Sequence, residues 1–416
     1  MVTDFLLAID ETGGRPIAVG VLTGERHVTT TSTMASTKPS SLRKDIQALR
    51  ALAVLLVVAY HANLPVVHGG FLGVDVFFVI SGFVITQSLD HSANRSLVGA
   101  ISDFYAKRIR RIMPAATLVI IATIFASYHW LSYITGGHTA NDAKWVAAFV
   151  GNFHFASQQL GYFTSALPHS TLQQYWSLAV EEQFYVVWPV VFFAIRALVR
   201  RASGPLTIGV LVATIASSLV WCVVQTHQNA TTAFFSPYTR AWELALGALV
   251  AVLAPRLVDR APRVGLALSL VGLVGIVVPV WFLTASSPWP GSNAIIPVVG
   301  TALVITGGTL RRSSRDHVLI ANPVVQWFGL ISYSLYLVHW PVLQIPQQYS
   351  FSGTIARSSE LELVGLSIML AAVMYYAVEN PLRKATWLQL RWRTFAFGAG
   401  LIALTYGALF WHLHNY

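Results

Sequence analysis

Charge is what this sequence has least of. Only 11% of its 416 residues are Asp, Glu, Lys or Arg, while 55% are hydrophobic and the mean hydropathy is +0.60. Soluble domains carry about 25% charged residues, so less than half the usual water-facing surface is available and lipid must be the main solvent. Cysteine is nearly missing as well: Cys222 stands alone, which excludes an intrachain disulfide framework and marks a small hydrophobe in an apolar run. Acidic residues number 17 against 27 basic ones. The resulting net charge of +10 does not read as a nucleic-acid surface, because the positives sit in short clusters between apolar runs, the pattern of cytoplasmic loops in membrane proteins. No motif for peptide or nucleic-acid recognition is present, no metal site is expected, and no internal repeat is visible.

What is abundant fits a membrane. Thirteen Trp and 15 Tyr suit two interfacial belts, where amphipathic rings settle at headgroup depth. Crossing the hydrocarbon core takes about 20 apolar residues. Such runs are read at 46–65, 71–89, 112–131, 177–195, 206–225, 238–254, 264–284, 293–310, 324–343, 361–379 and 394–412. The segment 144–158 is short, carries Asn152 and His154, and fits a span or an interfacial helix.

Charge decides between these. With 144–158 kept out of the bilayer core, the clusters at Arg43–Lys44, Lys107–Arg111, Arg196–Arg201, Arg256–Arg263, Arg311–Arg315 and Arg383–Arg393 all fall on one face. That face is the cytoplasm. The fold class expected is an all-α integral membrane protein, a bundle of about eleven transmembrane helices with its N-terminus cytoplasmic, multi-pass in the cytoplasmic membrane. Residues 1–41 read as a disordered extension rich in Thr and Ser, with Met34 as an alternative start, ahead of a transmembrane domain at 42–416.

Ionisable side chains inside a span cost about 2.5–3.5 kcal/mol each on insertion scales and usually face the bundle interior. Here they are Arg50, His61, Asp75, Glu181, Glu182, Arg240, Glu243, His339 and Glu379. By the topology above, all but Arg50 and Glu379 lie in one layer in the outer part of the membrane. Arg50 lies near the inner end of the first span. Eleven residues later comes His61, a net rotation of about 20° and a rise of roughly 16 Å, so both point along one helix wall. A phosphate-gripping cation at one end and a proton-accepting imidazole at the other suit a polyanionic donor that inserts a long arm. An adjacent carboxylate would orient the imidazole; Asp75 is the first candidate and Glu181 the second. Plainer readings stand beside these. Arg240 and Glu243 are spaced as an i,i+3 ion pair, His339 suits an interfacial residue, and the Lys107–Arg111 run suits headgroup anchoring.

At these same residues the chain resembles the membrane acyltransferase-3 family. The stretches that carry the resemblance are IQALRALAVLLVVAYHANLP with Arg50 and His61, GGFLGVDVFFVISGFVIT with Asp75, KRIRRIMP with Arg108 and Arg111, and WSLAVEEQFYVVWP with Glu181, Glu182 and Tyr185. RAWELALGALVA, ISYSLYLVHWP and ENPLRK follow, carrying Arg240 with Glu243, His339 and Glu379. The resemblance spans about residues 42–385 and implies O-acyl transfer from cytoplasmic acyl-CoA, acetyl-CoA above all, which is a donor substrate and not a permanently bound cofactor. The acceptor implied is a hydroxyl of a glycan, glycolipid or macrolide-like metabolite. His61 matches the family's catalytic histidine; Arg50, Arg108 and Arg111 match its donor-binding residues, with Lys107 beside them. Many members append an extracytoplasmic hydrolase-like domain; none is expected here, so any hand-over implies a separate extracytoplasmic partner protein. Membrane lipid is the other partner. The rival reading is a transporter or flippase for a glycolipid or small molecule, since aligned intramembrane charges serve that function too.

Overall fold

The computed structural model describes residues 43–91, 96–159, 162–163, 168–199, 203–312, 318–350 and 356–415. The expected N-terminal extension and its alternative start at Met34 lie outside them. Every regular element among the described residues is helical. In chain order they are α1 (Lys44–His61), α2 (Gly73–His91), α3 (Leu97–Trp130), α4 (Tyr133–Ala147), α5 (Gly151–Ser157), α6 (Tyr175–Leu198), α7 (Ser203–Gln228), α8 (Ala230–Phe235) and α9 (Pro237–Leu257). Then come α10 (Pro262–Val277), α11 (Pro279–Phe282), α12 (Ile295–Leu310), α13 (Val318–Ala321), α14 (Pro323–Tyr349), α15 (Arg357–Met374), α16 (Asn380–Lys384) and α17 (Arg391–Asn415).

Each of the eleven expected runs falls on its own helix or continuous helical segment. Nine segments among the described residues are long and apolar enough to cross a bilayer. The remaining two runs are α1 and α9, whose own charges (Lys44, Asp45 and Arg50; Arg240, Glu243 and Arg256) make them less apolar. The chain is an all-helical membrane protein, and both of these less apolar helices carry part of the candidate site.

The boundaries have local causes. The first run extends to residue 65, but α1 stops at His61 because Pro65 disfavours a helical residue before it and Asn63 turns left-handed at φ 48°. The third run begins at residue 112, whereas α3 starts at Leu97 behind an Ser96 cap and runs 34 residues. Its first turns are amphipathic, so the Lys107–Arg111 cluster is helical and its members point in different directions. The segment 144–158 is no span: it breaks at Phe149, φ 56°, between α4 and α5.

Close helix packing sets the interior. A Cβ on Gly82 of α2 would strike the Leu244 carbonyl, and one on Gly247 of α9 would strike the Val79 carbonyl. The two glycines let α2 and α9 meet backbone to backbone, as small residues do in membrane bundles. In α14, Pro341 has no N–H to give Leu337, and the buried Gln174 side chain bonds that carbonyl instead, at 3.1 Å. That bond, with Trp340 Nε1 donating to the Ser170 carbonyl at 2.9 Å, ties the segment before α6 onto α14.

Candidate active site

The last residue of α1 faces the middle of α14. His61 Nδ1 lies 2.9 Å from His339 Nε2, and the two rings stack at 5.2 Å with 16° between their planes. His61 Nε2 lies 2.8 Å from the Tyr162 hydroxyl. His339 is fully buried, and its Nδ1 lies 3.1 Å from the Leu335 carbonyl. Trp340 packs edge-on against His61 at 4.6 Å, while Tyr162 stacks on Phe234 at 4.2 Å. Burial pushes the Tyr162 phenol well above its ordinary value, so it remains an O–H donor. Burial likewise lowers the nearby His169 imidazole, against a hydrogen bond it shares with the Gln173 side chain. His169 therefore stays neutral at pH 7.

The basic residues divide. Arg50 Nη1 donates to Gln47 Oε1 at 3.1 Å and lies in electrostatic range of Arg111, Glu379 and Glu181. Arg108 sits over the Tyr185 ring at 4.5 Å, with Arg111, Glu181 and Glu182 around it. Arg50, Arg108 and Arg111 thus meet from α1 and α3, facing carboxylates of α6 and Glu379. Lys107 is exposed and Arg110 donates to the Leu388 carbonyl at 2.6 Å. Arg108 and Arg111 are an i,i+3 pair on one face of α3, and the other two basic residues of the cluster make contacts elsewhere or reach the surface.

One expectation is corrected here. Glu181 and Glu182 were placed in the same outer layer as His61, with Glu181 a candidate to orient it. They lie instead with the arginines: Glu181 Oε2 accepts from Tyr185 at 3.0 Å and is bonded by Ser81. The reason is helix length, since α6 begins at Tyr175 and Glu181, six residues on, is already about 9 Å along the axis.

Asp75 does not touch His61 in this structure. Its Oδ1 accepts from Arg240 Nη1 at 2.7 Å, and the same nitrogen donates to Glu243 Oε1 at 3.0 Å. All three side chains are at most 1% exposed. Arg240 also faces the Trp176 and Phe234 rings at 5.5 and 5.3 Å. Because Tyr162 stacks on the same Phe234, the charged group sits behind the aromatic wall of the His61 pocket.

Between the two ends runs a polar seam. Tyr336 lies 5.6 Å from the His339 ring, its hydroxyl 2.6 Å from Ser177 Oγ. One turn further along α6, Glu181 meets Ser81 and Tyr185, and Tyr185 meets Arg108. Tyr162, Ser177, Ser81 and Tyr336 were not singled out from the sequence. Neutral hydroxyls carry no insertion penalty comparable to a charge, so hydropathy does not flag them; Ser81, Ser177 and Tyr336 were visible only as members of the quoted motifs, and Tyr162 lies in none. Among the described residues no cluster of His, Cys, Asp and Glu could hold a metal ion.

Three arginines and the half-buried His61 imidazole, joined by a line of hydroxyls inside the bundle, make up the candidate site. The chain belongs to the membrane acyltransferase-3 family: the family model described as an acyltransferase domain matches residues 43–378. It is a multi-pass membrane protein. Among curated relatives it is 29% identical over 353 residues to "Peptidoglycan O-acetyltransferase OatA" of Listeria monocytogenes, covering 82% of this chain and 55% of that protein. It is 29% identical over 349 residues to "Putative peptidoglycan O-acetyltransferase YrhL" of Bacillus subtilis, covering 81% of this chain and 54% of that one. The chain thus spans about half the length of the curated relatives it matches. No solved structure matches it.

Proposed function

We propose that this membrane O-acyltransferase takes an acetyl or other short acyl group from cytoplasmic acyl-CoA and delivers it to a carbohydrate hydroxyl at the outer side. The likeness to peptidoglycan O-acetyltransferases makes a peptidoglycan sugar the first acceptor to try. The observation that carries the reading is the polar seam from Arg50, Arg108 and Arg111 to His61. A bundle interior tolerates such a line only where it has work to do, and its ends differ as a nucleotide donor requires. Guanidinium groups grip phosphates through paired, charge-assisted bonds, and the seam's hydroxyls suit the amide-rich arm between phosphate and thioester. At the far end His61 removes the acceptor O–H proton as that oxygen attacks the thioester carbonyl. The C–S bond then breaks, and the imidazolium returns the proton to the departing thiolate. The orienting role expected of Asp75 or Glu181 is replaced in this reading: Asp75, with Arg240 and Glu243, braces the aromatic wall, and Glu181 and Glu182 balance the arginine cluster until donor phosphates arrive.

The test uses membranes from cells expressing the full chain, radiolabelled acetyl-CoA and a chitooligosaccharide acceptor. The wild type labels the sugar as an alkali-labile ester, and His61→Ala falls by roughly 10²–10⁴-fold, the usual range for a general base. Equal labelling by both proteins overturns the assignment. Movement of the sugar across the bilayer without consumption of acetyl-CoA would replace it with transport.

A further inference from the structure

We infer that His339 is a positioning residue which fixes the tautomer of His61, so that His61 Nε2 is the nitrogen that accepts the acceptor's proton; the catalytic part of this inference rests on the function proposed above. The hydrogen bonds allow one consistent arrangement of protons. A carbonyl oxygen only accepts, so the 3.1 Å contact of His339 Nδ1 with Leu335 requires an N–H on Nδ1. A neutral imidazole carries one N–H, which leaves His339 Nε2 as an acceptor. The 2.9 Å contact from His61 Nδ1 to that atom must then be Nδ1–H donating. His61 Nε2 is left with its lone pair, and at 2.8 Å it accepts from the Tyr162 hydroxyl. An alcohol already stands where the substrate alcohol would have to stand, within general-base reach.

The ring pair is closed to other charges. The titratable groups facing it are His169 and Tyr162 from the segment between α5 and α6, Tyr60 from α1 and Tyr336 from α14. No carboxylate bonds either imidazole among the described residues. A carboxylate in this place would hold a charge in the bundle interior through the whole cycle. A second imidazole holds the first in place while keeping the resting pair neutral. When His61 takes the proton on Nε2, its Nδ1–H remains aimed at His339, and that bond strengthens as its donor becomes charged. The Leu335 carbonyl is the anchor of the relay, one helical turn before His339 on α14.

Histidine-selective 15N labelling of the full chain in lipid nanodiscs reads the tautomer directly, with the His61 signal assigned by its loss in His61→Ala. At pH 8 the wild type shows His61 protonated on Nδ1 with Nε2 bare. His339→Leu removes the acceptor and abolishes that single tautomer, while His339→Gln, whose amide oxygen accepts, retains it. In acetyl transfer His339→Leu loses at least about tenfold in kcat. Its acidic limb moves to lower pH, because the imidazolium has lost its partner, and His339→Gln recovers most of the rate and the limb. A wild-type His61 with its proton on Nε2 overturns the inference. So does a loss of rate that is equal in both variants with an unmoved acidic limb. An inactive wild type would strike the proposed function and leave the tautomer result standing.

Discussion

Arg240 stands between two carboxyl groups where none of the three can reach water. Removing one partner of a buried ion pair costs about 3–5 kcal/mol, because the remaining charge is left uncompensated. One guanidinium matches only one of the two carboxylates, so the second is surplus charge. Arg240→Leu is therefore expected to lower the thermal midpoint of the purified protein in detergent sharply, while Glu243→Gln leaves it unchanged or raises it. Equal losses in both variants would mean that both acids are needed as ions. At this scale the sequence was a good guide to which residues matter and a weaker guide to their partners. Arg240 with Glu243 was legible from the i,i+3 spacing. The bond from His61 to His339 joins residues 278 positions apart, and no local pattern carries that information. Asp75 was assigned to His61 because both lie near the outer ends of adjacent helices, but depth alone does not tell which way a side chain turns.

At the scale of elements, span length and charge bias were enough to find eleven long helical segments among the described residues, because lipid imposes a minimum apolar length that loops cannot imitate. The same criteria hid the rest. Helix α3 begins 15 residues before its apolar run because an amphipathic start reads as polar sequence, and that start is what aligns Arg108 with Arg111. Charge bias kept 144–158 out of the bilayer core, but the break at Phe149, with its left-handed backbone, has no sequence signature. Helix α1 matters most. It is unbroken from Lys44 to His61, so the phase between Arg50 and His61 argued from the sequence alone holds for the real backbone. The other walls of the seam come from α2, α6 and α14, which meet α1 through tertiary packing that periodicity does not encode.

For the whole molecule, the decisive arrangement is which end faces which compartment. The proposed orientation follows from the clustering of basic residues on one face: the positive-inside rule turns the arginine triad toward the cytoplasm, the side from which the proposed CoA donor would enter. The single cysteine makes this simple to check, since Cys222 is fully buried and gives little background. In intact cells a membrane-impermeant maleimide should label Ser286→Cys, in the exposed loop before α12, and should reach Lys384→Cys only after permeabilisation. The opposite pattern would turn the bundle over and remove the cytoplasmic donor.

The claim beneath all of this is that one helix wall serves both ends of one donor. A structure of the full chain with a non-transferable acetyl-CoA thioether tests it most directly. The account predicts the nucleotide phosphates against Arg50, Arg108 and Arg111, the arm along Tyr185, Ser177 and Tyr336, and the thioether sulfur within about 4 Å of His61 Nε2 or one bridging water away from it. A sulfur held away from His61, or a nucleotide bound at the Tyr162 end, would contradict it.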